Sequence, residues 1–275
     1  MEPAYLLEVS GLGMQFGGIK ALTDVNFNVR RNAITALIGP NGAGKTTVFN
    51  CVTGFYRPTD GQIWLSTPRG ISEVGALMRS ILGGTHSVAR AGIARTFQNI
   101  RLFKEMTVLE NLVVAQHQQR NHNLLAGILS TPGYRNAEKR AIATACEWLE
   151  RVGLLDSAGR LAGELPYGHQ RRLEIARAMC TNPTLICLDE PAAGLNPRET
   201  AELAALIRRL RDEHGVTVLL IEHDMELVMN ICDHIVVLSY GRVIDQGKPD
   251  HVANSPVVIE AYLGAPAEEL HREEP

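Results

Sequence analysis

The sequence predicts an α/β fold built around a largely parallel sheet. Three observations support this prediction: strand-like and helix-like segments alternate over the second half of the chain, a glycine-rich loop follows a continuous apolar run, and a block of purely helical periodicity interrupts the alternation. Strands that alternate with helices need crossover connections, which place neighbouring strands parallel. The chain has 275 residues, 45% of them hydrophobic, and is long enough to bury a large core.

The first third of the chain predicts strands on both sides of the glycine-rich loop. Residues 6–16 and 21–29 alternate apolar and polar positions, as half-buried strands do, and residues 33–38 form the continuous apolar run of a buried strand. A short helix ended by glycine is expected at 46–54, and a further strand at 61–65. The loop is therefore expected between a strand and a helix.

The middle of the chain predicts helices. Residues 66–92, rich in Gly, Ser and Thr, indicate a surface excursion or a pair of short helices. Apolar residues recur at helical spacing over 107–119 and 138–152, and the segment 124–133 between them ends in a Thr-Pro-Gly turn signal. The α/β pattern then resumes. Its predicted elements are helix 170–180, strand 184–188, helix 198–214, strand 216–221, helix 225–232 and strand 235–239.

Composition excludes several classes of function. A formal net charge of −3 gives no cationic field that would hold nucleic acid or an anionic membrane. The longest apolar runs, such as residues 216–221, are far shorter than the roughly 18 to 20 residues that cross a bilayer. Residues 1–11 lack the basic start and apolar stretch of a signal peptide, so we expect the chain to stay in the cytosol.

The cysteines and histidines predict neither disulfides nor a zinc site. The cysteines are Cys51, Cys146, Cys180, Cys187 and Cys232. Their number is odd, no Cys-x-x-Cys pair occurs, and most lie in apolar stretches, which is typical of small core residues. The histidines show no metal-ligand spacing.

Residues 39–46 carry the strongest chemical signal. Their sequence, Gly-Pro-Asn-Gly-Ala-Gly-Lys-Thr, follows a predicted strand and precedes a helix, so successive backbone N–H groups can wrap a phosphate chain. Lys45 is expected to reach the β- and γ-phosphates of ATP, and the Thr46 hydroxyl to bind Mg2+. The expected ATP contacts in this region are Gly39, Pro40, Asn41, Gly42, Ala43, Gly44, Lys45, Thr46 and Thr47.

Two carboxylates follow the predicted buried strand at 184–188. Ligands of open α/β sheets collect at the carboxyl ends of the strands, where Asp189 and Glu190 lie. Asp189 fits the role of holding Mg2+, and Glu190 fits a general base that orients the attacking water. An Asp-Glu pair after a strand is by itself more often part of a solvated turn. The phosphate loop elsewhere in the chain makes a catalytic role the favoured interpretation of this pair.

With these motifs, residues 6–264 resemble the nucleotide-binding subunits of ABC transporters. The resemblance implies a P-loop NTPase of the ABC ATPase type, with a mostly parallel sheet core, an antiparallel β subdomain and an inserted α-helical subdomain. The implied divisions are an α/β core at 6–97 and 166–249, a helical subdomain at 98–165 and a C-terminal helix at 250–264. The acidic residues 265–275 are expected to be disordered.

The resemblance also implies roles for isolated side chains. Phe16 stands where the family stacks an aromatic ring on adenine, although an aromatic residue that ends a strand is more often part of a core. Gln98 matches the glutamine that senses Mg2+ and the attacking water, and His223 matches the histidine that contacts the γ-phosphate. The implied catalytic residues are Glu190, His223 and Gln98, and the implied Mg2+ ligands are Thr46, Gln98 and Asp189.

Residues 165–170 occupy the place of the family's signature, which caps the γ-phosphate held by the opposite subunit. The residues implied to act across the dimer are Pro166, Tyr167, Gly168, His169 and Gln170. Pro166 offers neither a hydroxyl nor an N–H, so the Gly168 backbone and the positive end of the following helix remain as donors. Asn196 stands where an aspartate is usual in the loop between the two subunits, which keeps an acceptor but loses a charge.

A closer resemblance points to the larger ATP-binding subunits of high-affinity importers of branched-chain amino acids. The segments that carry it are residues 95–103, 111–117, 127–132, 170–177, 189–197 and 261–264. It implies a heterodimer with a second ATP-binding subunit, integral membrane permease subunits fed by a periplasmic binding protein, and a peripheral position on the cytoplasmic face of the inner membrane, without direct contact with the cargo. Pro166 then suggests that the site completed by this chain's signature is the weaker of the two.

Other interpretations remain open at this stage. The segment 97–107 is the expected contact with the permease, unless Leu102 and Phe103 merely anchor the helical block. ATPases of urea or short-amide importers and of lipopolysaccharide exporters share the same pattern. A non-transport ABC protein acting on ribosomes or DNA is a competing class, but it normally has two such domains in one chain or long heptad arms, and a basic face, none of which this sequence shows.

Overall fold

The computed structural model of this chain describes residues 4–67, 70–79, 83–116 and 132–263. Within these ranges the strands form two sheets. In chain order the strands are β1 (Tyr5–Phe16), β2 (Ile19–Arg30), β3 (Ile34–Ile38), β4 (Asp60–Thr67), β5 (Gly70–Glu73), β6 (Ile93–Arg95), β7 (Leu185–Asp189), β8 (Thr217–Ile221), β9 (His234–Ser239) and β10 (Arg242–Gly247).

The two sheets differ in strand direction. The smaller one has the order β2-β1-β4-β5 and is antiparallel throughout. The larger one has the order β10-β9-β3-β8-β7-β6, and its neighbours are parallel except at the β9–β10 edge. Every residue of β3, β7 and β8 is buried, as their continuous apolar sequences predict.

Helices connect the parallel strands and cover the larger sheet. They are α1 (Lys45–Val52), α2 (Val74–Arg79), α3 (Thr85–Arg90), α4 (Val108–Ala115), α5 (Pro132–Arg151), α6 (Tyr167–Met179), α7 (Pro197–Asp212), α8 (Met225–Ile231), α9 (Pro249–Ala253) and α10 (Pro256–Leu263), with single 3-10 turns at Leu155–Ser157 and Ala162–Glu164. Reciprocal capping boxes start α4, from Thr107, and α7, from Asn196. No helix in the described ranges is both long and apolar enough to span a membrane.

The larger sheet has a hydrophobic core on each face. Ile34 and Ile38 of β3 belong to a core shared with α4 to α8. Leu37 of the same strand belongs to the second core, together with Val48 of α1 and the inner side chains of the smaller sheet. With both faces covered, the loops at the carboxyl ends of the parallel strands are the exposed edge at which functional side chains can gather.

Some predicted elements differ from the structure. The 66–92 segment contains both of the short helices that were one alternative, but it also contains β5, which extends the smaller sheet and was not predicted. Pro132 and Gly133, predicted to end a turn, instead begin α5, because proline lacks an N–H and the first helical turn needs no N–H partner. Helix α4 ends at Ala115, before the predicted position 119.

Short elements near strand ends were also missed. Neither β6 nor β10 was predicted, and α9 and α10 occupy the segment for which one C-terminal helix was expected, with Asn254 as the C-cap of α9. Residues 117–131 of the predicted helical block and the tail at 265–275 lie outside the described residues.

Candidate active site

The phosphate loop connects β3 to α1, and the end of β9 and the turn after it support it from behind. Gly39 has a φ of 147°, and a Cβ at this position would collide with the carbonyl oxygen of Leu238, so only glycine fits. Gly241, in the turn, donates its N–H to the carbonyl oxygen of Ala43 at 3.0 Å. The backbone of the loop is therefore fixed at two points by the same hairpin.

Lys45 starts α1 and turns its ammonium group back into the loop. Its Nζ donates to the carbonyl oxygens of Gly39 at 2.7 Å and Pro40 at 2.9 Å. The side chain is buried, and burial lowers the pKa of Lys45 while the nearby Glu190 carboxylate raises it. A phosphate group in the loop would compete with the two carbonyl oxygens for this ammonium group.

Glu190 follows β7 and contacts two other predicted residues. Its Oε2 accepts from Nε2 of Gln98 at 2.8 Å, and its Oε1 lies 3.0 Å from Nε2 of His223. The Glu190 backbone is left-handed, with a φ of 47°, and its N–H donates to the carbonyl oxygen of Ile221 at 2.9 Å. Glu190 thus contacts both of the other side chains predicted to be catalytic.

Asp189, the last residue of β7, is buried and paired with an arginine for which no role was predicted. Nη2 of Arg95 lies 2.8 Å from Oδ2 of Asp189, and its Nη1 donates to Oδ1 of Asn50 in α1 at 2.6 Å. The guanidinium carbon is 5.2 Å from the ring centroids of both Phe55 and Phe97. This cation joins the strand that carries Asp189 to the helix that follows the phosphate loop.

A buried ion pair ties the backbone around Gln98 to helix α6. Arg171 has no exposed surface and donates to the carbonyl oxygens of Phe97 and Gln98, both at 2.8 Å. It also pairs with Glu174 at 2.9 Å, and Oε1 of Glu174 accepts from the N–H groups of Phe97 at 3.4 Å and Arg101 at 3.3 Å. Burial raises the pKa of Glu174, and Arg171 opposes that rise. No catalytic or binding role was predicted for either member of the pair.

Phe16 ends β1 in an exposed aromatic pair. Its ring is 42% exposed and meets Tyr56 edge to face, with the centroids 5.3 Å apart. The next strand, β2, packs on the phosphate loop, since a Cβ on Gly44 would approach the side chain of Leu22 to 2.7 Å. The β1–β2 hairpin therefore carries Phe16 close to the loop, and the alternative that Phe16 is a core residue is wrong.

The predicted signature begins α6, and Arg171 of the same helix donates both to the Tyr167 hydroxyl at 3.4 Å and to the carbonyl oxygen of Gln98. Pro166 provides no side-chain cap for this helix. Gly168 is buried against the start of α7, and a Cβ there would come within 2.5 Å of Oε1 of Glu199. Gln170 donates its side-chain N–H to the backbone carbonyl of Leu165 at 2.8 Å. Among the described residues, no hydrogen bond joins the signature to the phosphate loop.

Two signature side chains remain available at the surface. Tyr167 is 44% exposed, and its ring edge packs beside Gly194 in the loop that leads to Asn196. Burial and the neighbouring Arg172 lower the pKa of His169, which favours the neutral imidazole near pH 7. The start of α6 and the Asn196 loop thus form one continuous surface.

The mostly parallel sheet, with a glycine-rich loop between β3 and α1 that holds the buried Lys45, is the architecture of a P-loop ATPase. Residues 22–193 match the family model described as "ABC transporter", and this chain belongs to that family. It is a subunit that binds ATP and hydrolyses it to drive transport.

The similarity to particular relatives extends over nearly the whole chain. Over 259 residues it is 56% identical to the high-affinity branched-chain amino acid transport ATP-binding protein BraF of Pseudomonas aeruginosa, covering 94% of this chain and 98% of that protein. Identity to the corresponding protein LivG of Escherichia coli is 54% over 259 residues, with the same coverage. Residues 242–268 match a second family model, described as "Branched-chain amino acid ATP-binding cassette transporter".

Solved structures confirm the fold. A crystal structure of a nucleotide-free ATP-binding cassette from an ABC transporter matches with a TM-score of 0.79 at 31% identity, covering 94% of this chain and 99% of that chain. The ADP conformation of an ATP-binding cassette of an ABC transporter matches with a TM-score of 0.78 at 31% identity, covering 95% and 100%. The prediction of a P-loop NTPase of the ABC ATPase type is therefore confirmed.

Proposed function

We propose that this chain is the ATP-hydrolysing subunit of an importer of branched-chain amino acids. The support is the identity of 54% and 56% to two transport ATP-binding proteins described by that substrate class. The family model over residues 242–268 carries the same description. Because an ATPase subunit does not touch the cargo, the cargo is inferred from the similarity of the whole chain and not from the site.

In this proposal the phosphate loop holds the triphosphate of ATP. Its residues 39–47 present backbone N–H groups and the Lys45 ammonium group to the phosphates. Lys45 would exchange two carbonyl oxygens for the more strongly charged oxygens of the β- and γ-phosphates. Phe16, with Tyr56 behind it, supplies the exposed ring on which adenine would stack.

The residues near Asp189 fit Mg2+. Thr46, Gln98 and Asp189 offer a hydroxyl, an amide and a carboxylate oxygen, which are hard ligands of the kind this ion prefers. Among the described residues no group of three or more His, Cys, Asp or Glu could hold a metal alone, so ATP itself would have to contribute ligands. When bound, Mg2+ would neutralise phosphate charge, and the Arg95 pair keeps the Asp189 carboxylate in place.

The observation that carries the proposed hydrolysis is the contact of Glu190 with Gln98 and His223. Glu190 accepts a proton from the attacking water as a general base, Gln98 orients that water, and His223 holds the carboxylate and the γ-phosphate in register. Glu190→Gln, which keeps the size but removes the basic oxygen, should lower kcat by at least about 100-fold. The Kd for ATP should stay within about two-fold, because the Lys45 contacts persist.

A matched control uses an exposed carboxylate. Glu213→Gln, at the C-cap of α7, removes the same charge away from the site and should leave kcat unchanged. Full ATPase activity in the Glu190→Gln variant would show that another group activates the water.

We further propose that the complete site needs a second, different ATP-binding subunit. Among the described residues no hydrogen bond joins the signature to this chain's own phosphate loop, which supports its action across a head-to-tail dimer. Since Pro166 has no hydroxyl, the site that this chain's signature completes on the partner is the weaker one. Glu190→Gln should then remove most of the transporter's ATP turnover, whereas the equivalent substitution in the partner should remove less. Equal losses of turnover in the two variants would contradict this asymmetry.

The segment 97–107 is the proposed contact with the permease, together with the groove that Phe97 lines between α6 and the β6 edge. The groove has a volume of about 970 Å3, and its lining includes Phe97, Glu174 and Arg177. The alternative was that Leu102 and Phe103 merely anchor the helical block. Leu102 packs on the core as such an anchor would, whereas Phe103 is 51% exposed. Docking there would place the chain on the cytoplasmic face of the membrane, and the helices α4 and α5 would pass the closing motion on.

One experiment tests the assignment of cargo. The complex is purified from membranes through a tag on this chain, its subunits are identified, and ATPase stimulation is measured with leucine, isoleucine or valine plus the co-encoded binding protein. Stimulation by these amino acids and recovery of two permeases support the proposal. Stimulation only by urea or a short amide, or by none of the branched-chain set, would refute it.

A further inference from the structure

We propose that Glu222 is a positioning residue that holds His223 and Glu190 at their working distance. Glu222 directly follows β8 and is only 3% exposed. Its Oε1 accepts from the N–H of Ala192 at 2.7 Å, and its Oε2 accepts from the N–H groups of His223 at 3.1 Å and Asp224 at 3.5 Å. One buried carboxylate therefore bonds the backbone of both loops that carry the hydrolysis residues.

The connection made by Glu222 adds to a backbone hydrogen bond at the start of these loops. On one side the N–H of Glu190 donates to the carbonyl oxygen of Ile221 at 2.9 Å. On the other side Glu222 holds Ala192, two residues beyond Glu190. With the backbone fixed before and after the active side chains, the 3.0 Å contact between Glu190 and His223 does not depend on the side chains alone.

A buried carboxylate at this position indicates a dedicated role and not simple packing. Taking a carboxylate out of water is costly, and burial raises the pKa of Glu222, while the N–H groups of Ala192, His223 and Asp224 act in the opposite direction. Hydrogen bonds to a charged acceptor are about twice as strong as neutral ones, which offsets the cost. An apolar residue at this position would bury equally well but would leave the three N–H groups without this acceptor.

The Glu222→Gln variant tests the inference with little change in shape. A glutamine has one oxygen, so one orientation turns its NH2 group toward Ala192 and the other turns it toward His223 and Asp224. In the assembled transporter kcat should fall by about 10- to 100-fold, because a misplacement of about 1 Å can cost this much. The Kd for ATP should stay within about two-fold. The control is Glu226→Gln, an exposed carboxylate in the first turn of α8, which should keep the wild-type kcat.

A double-mutant cycle separates positioning from a purely structural effect. If Glu222 sets the distance between Glu190 and His223, then Glu222→Gln should lower kcat by a smaller factor when His223 is already alanine, because that distance no longer matters. A wild-type kcat in Glu222→Gln would overturn the inference. A double variant whose loss in kcat equals the product of the losses in the two single variants would also overturn it. Glu222→Asp, which keeps the charge but shortens the reach, takes its place in the cycle if Glu222→Gln does not fold.

The inference rests on the proposed roles of Glu190 and His223, and the same data distinguish the two failures. A Glu190→Gln or His223→Ala variant with wild-type kcat would refute the proposed hydrolysis site. Losses in both of these variants, with no loss in Glu222→Gln, would refute only the role of Glu222.

Discussion

The buried pair Arg171 and Glu174 provides a prediction that separates stability from function. Glu174→Leu removes one partner and leaves a guanidinium group with no exposed surface and no counter-ion. Breaking a buried pair in this way costs about 3 to 5 kcal/mol. Arg171 keeps its bonds to the carbonyl oxygens of Phe97 and Gln98, so we expect a loss near the lower limit, about 3 kcal/mol. The melting temperature should fall by roughly 6 to 10 °C.

The double variant Arg171→Met, Glu174→Leu should behave differently. Replacing both charges by apolar side chains removes the uncompensated buried charge, so the double variant should be more stable than Glu174→Leu by about 1 to 2 kcal/mol. Recovery is incomplete because backbone groups of Phe97, Gln98 and Arg101 lose their side-chain partners. The bonds to Phe97 and Gln98 are lost, however, and the Gln98 backbone is no longer tied to α6. Transport-coupled ATPase activity should therefore stay low in a folded protein.

Two measurements check this reasoning. Urea denaturation gives the free energy of unfolding of the single and double variants, and ATPase activity is measured in the assembled transporter with and without cargo. A single variant within about 1 kcal/mol of wild type, or a double variant as unstable as the single one, would refute the energetic argument. A folded double variant with full cargo stimulation would refute the link between this pair and Gln98.

Two further predictions concern individual side chains. Burial raises the pKa of four thiols to about 12, those of Cys51, Cys180, Cys187 and Cys232. At pH 8 iodoacetamide should therefore modify only Cys146 in the native protein, and mass spectrometry that finds a second native adduct would contradict this assignment. Lys45→Met should raise the Kd for ATP by about 10- to 100-fold, because a charged hydrogen bond to the phosphates is lost. The free energy of unfolding should change little. Fluorescence titration with a labelled ATP measures the Kd.

The sequence predicted those parts of the site that depend on local signals. The phosphate loop needs glycines, a lysine and its flanking strand and helix within a short segment, so residues 39–46 were recognisable alone. Strands β3, β7 and β8 are buried on both faces, and their continuous apolar runs mark them clearly. Strand β6, with three residues, is too short to show any periodicity.

The supporting residues were missed because their partners are distant in sequence. Arg95 is 94 residues from Asp189, and Arg171 is 74 residues from Phe97. In both cases nothing near the arginine indicates which carboxylate or carbonyl it will meet. Glu222 was missed for another reason: it stands beside His223, and only the folded backbone shows that its carboxylate turns inward to accept N–H groups.

The hairpin behind the phosphate loop affects how ATP binding is tuned. A flexible loop would lose about 1 to 2 kcal/mol of conformational freedom per residue on closing around a triphosphate. Here the fit of Gly39 against Leu238 and the bond from Gly241 to Ala43 impose much of that order before any nucleotide arrives. Substitutions in the β9–β10 turn can therefore shift nucleotide affinity through the entropy of the loop, although none of these turn residues belongs to it.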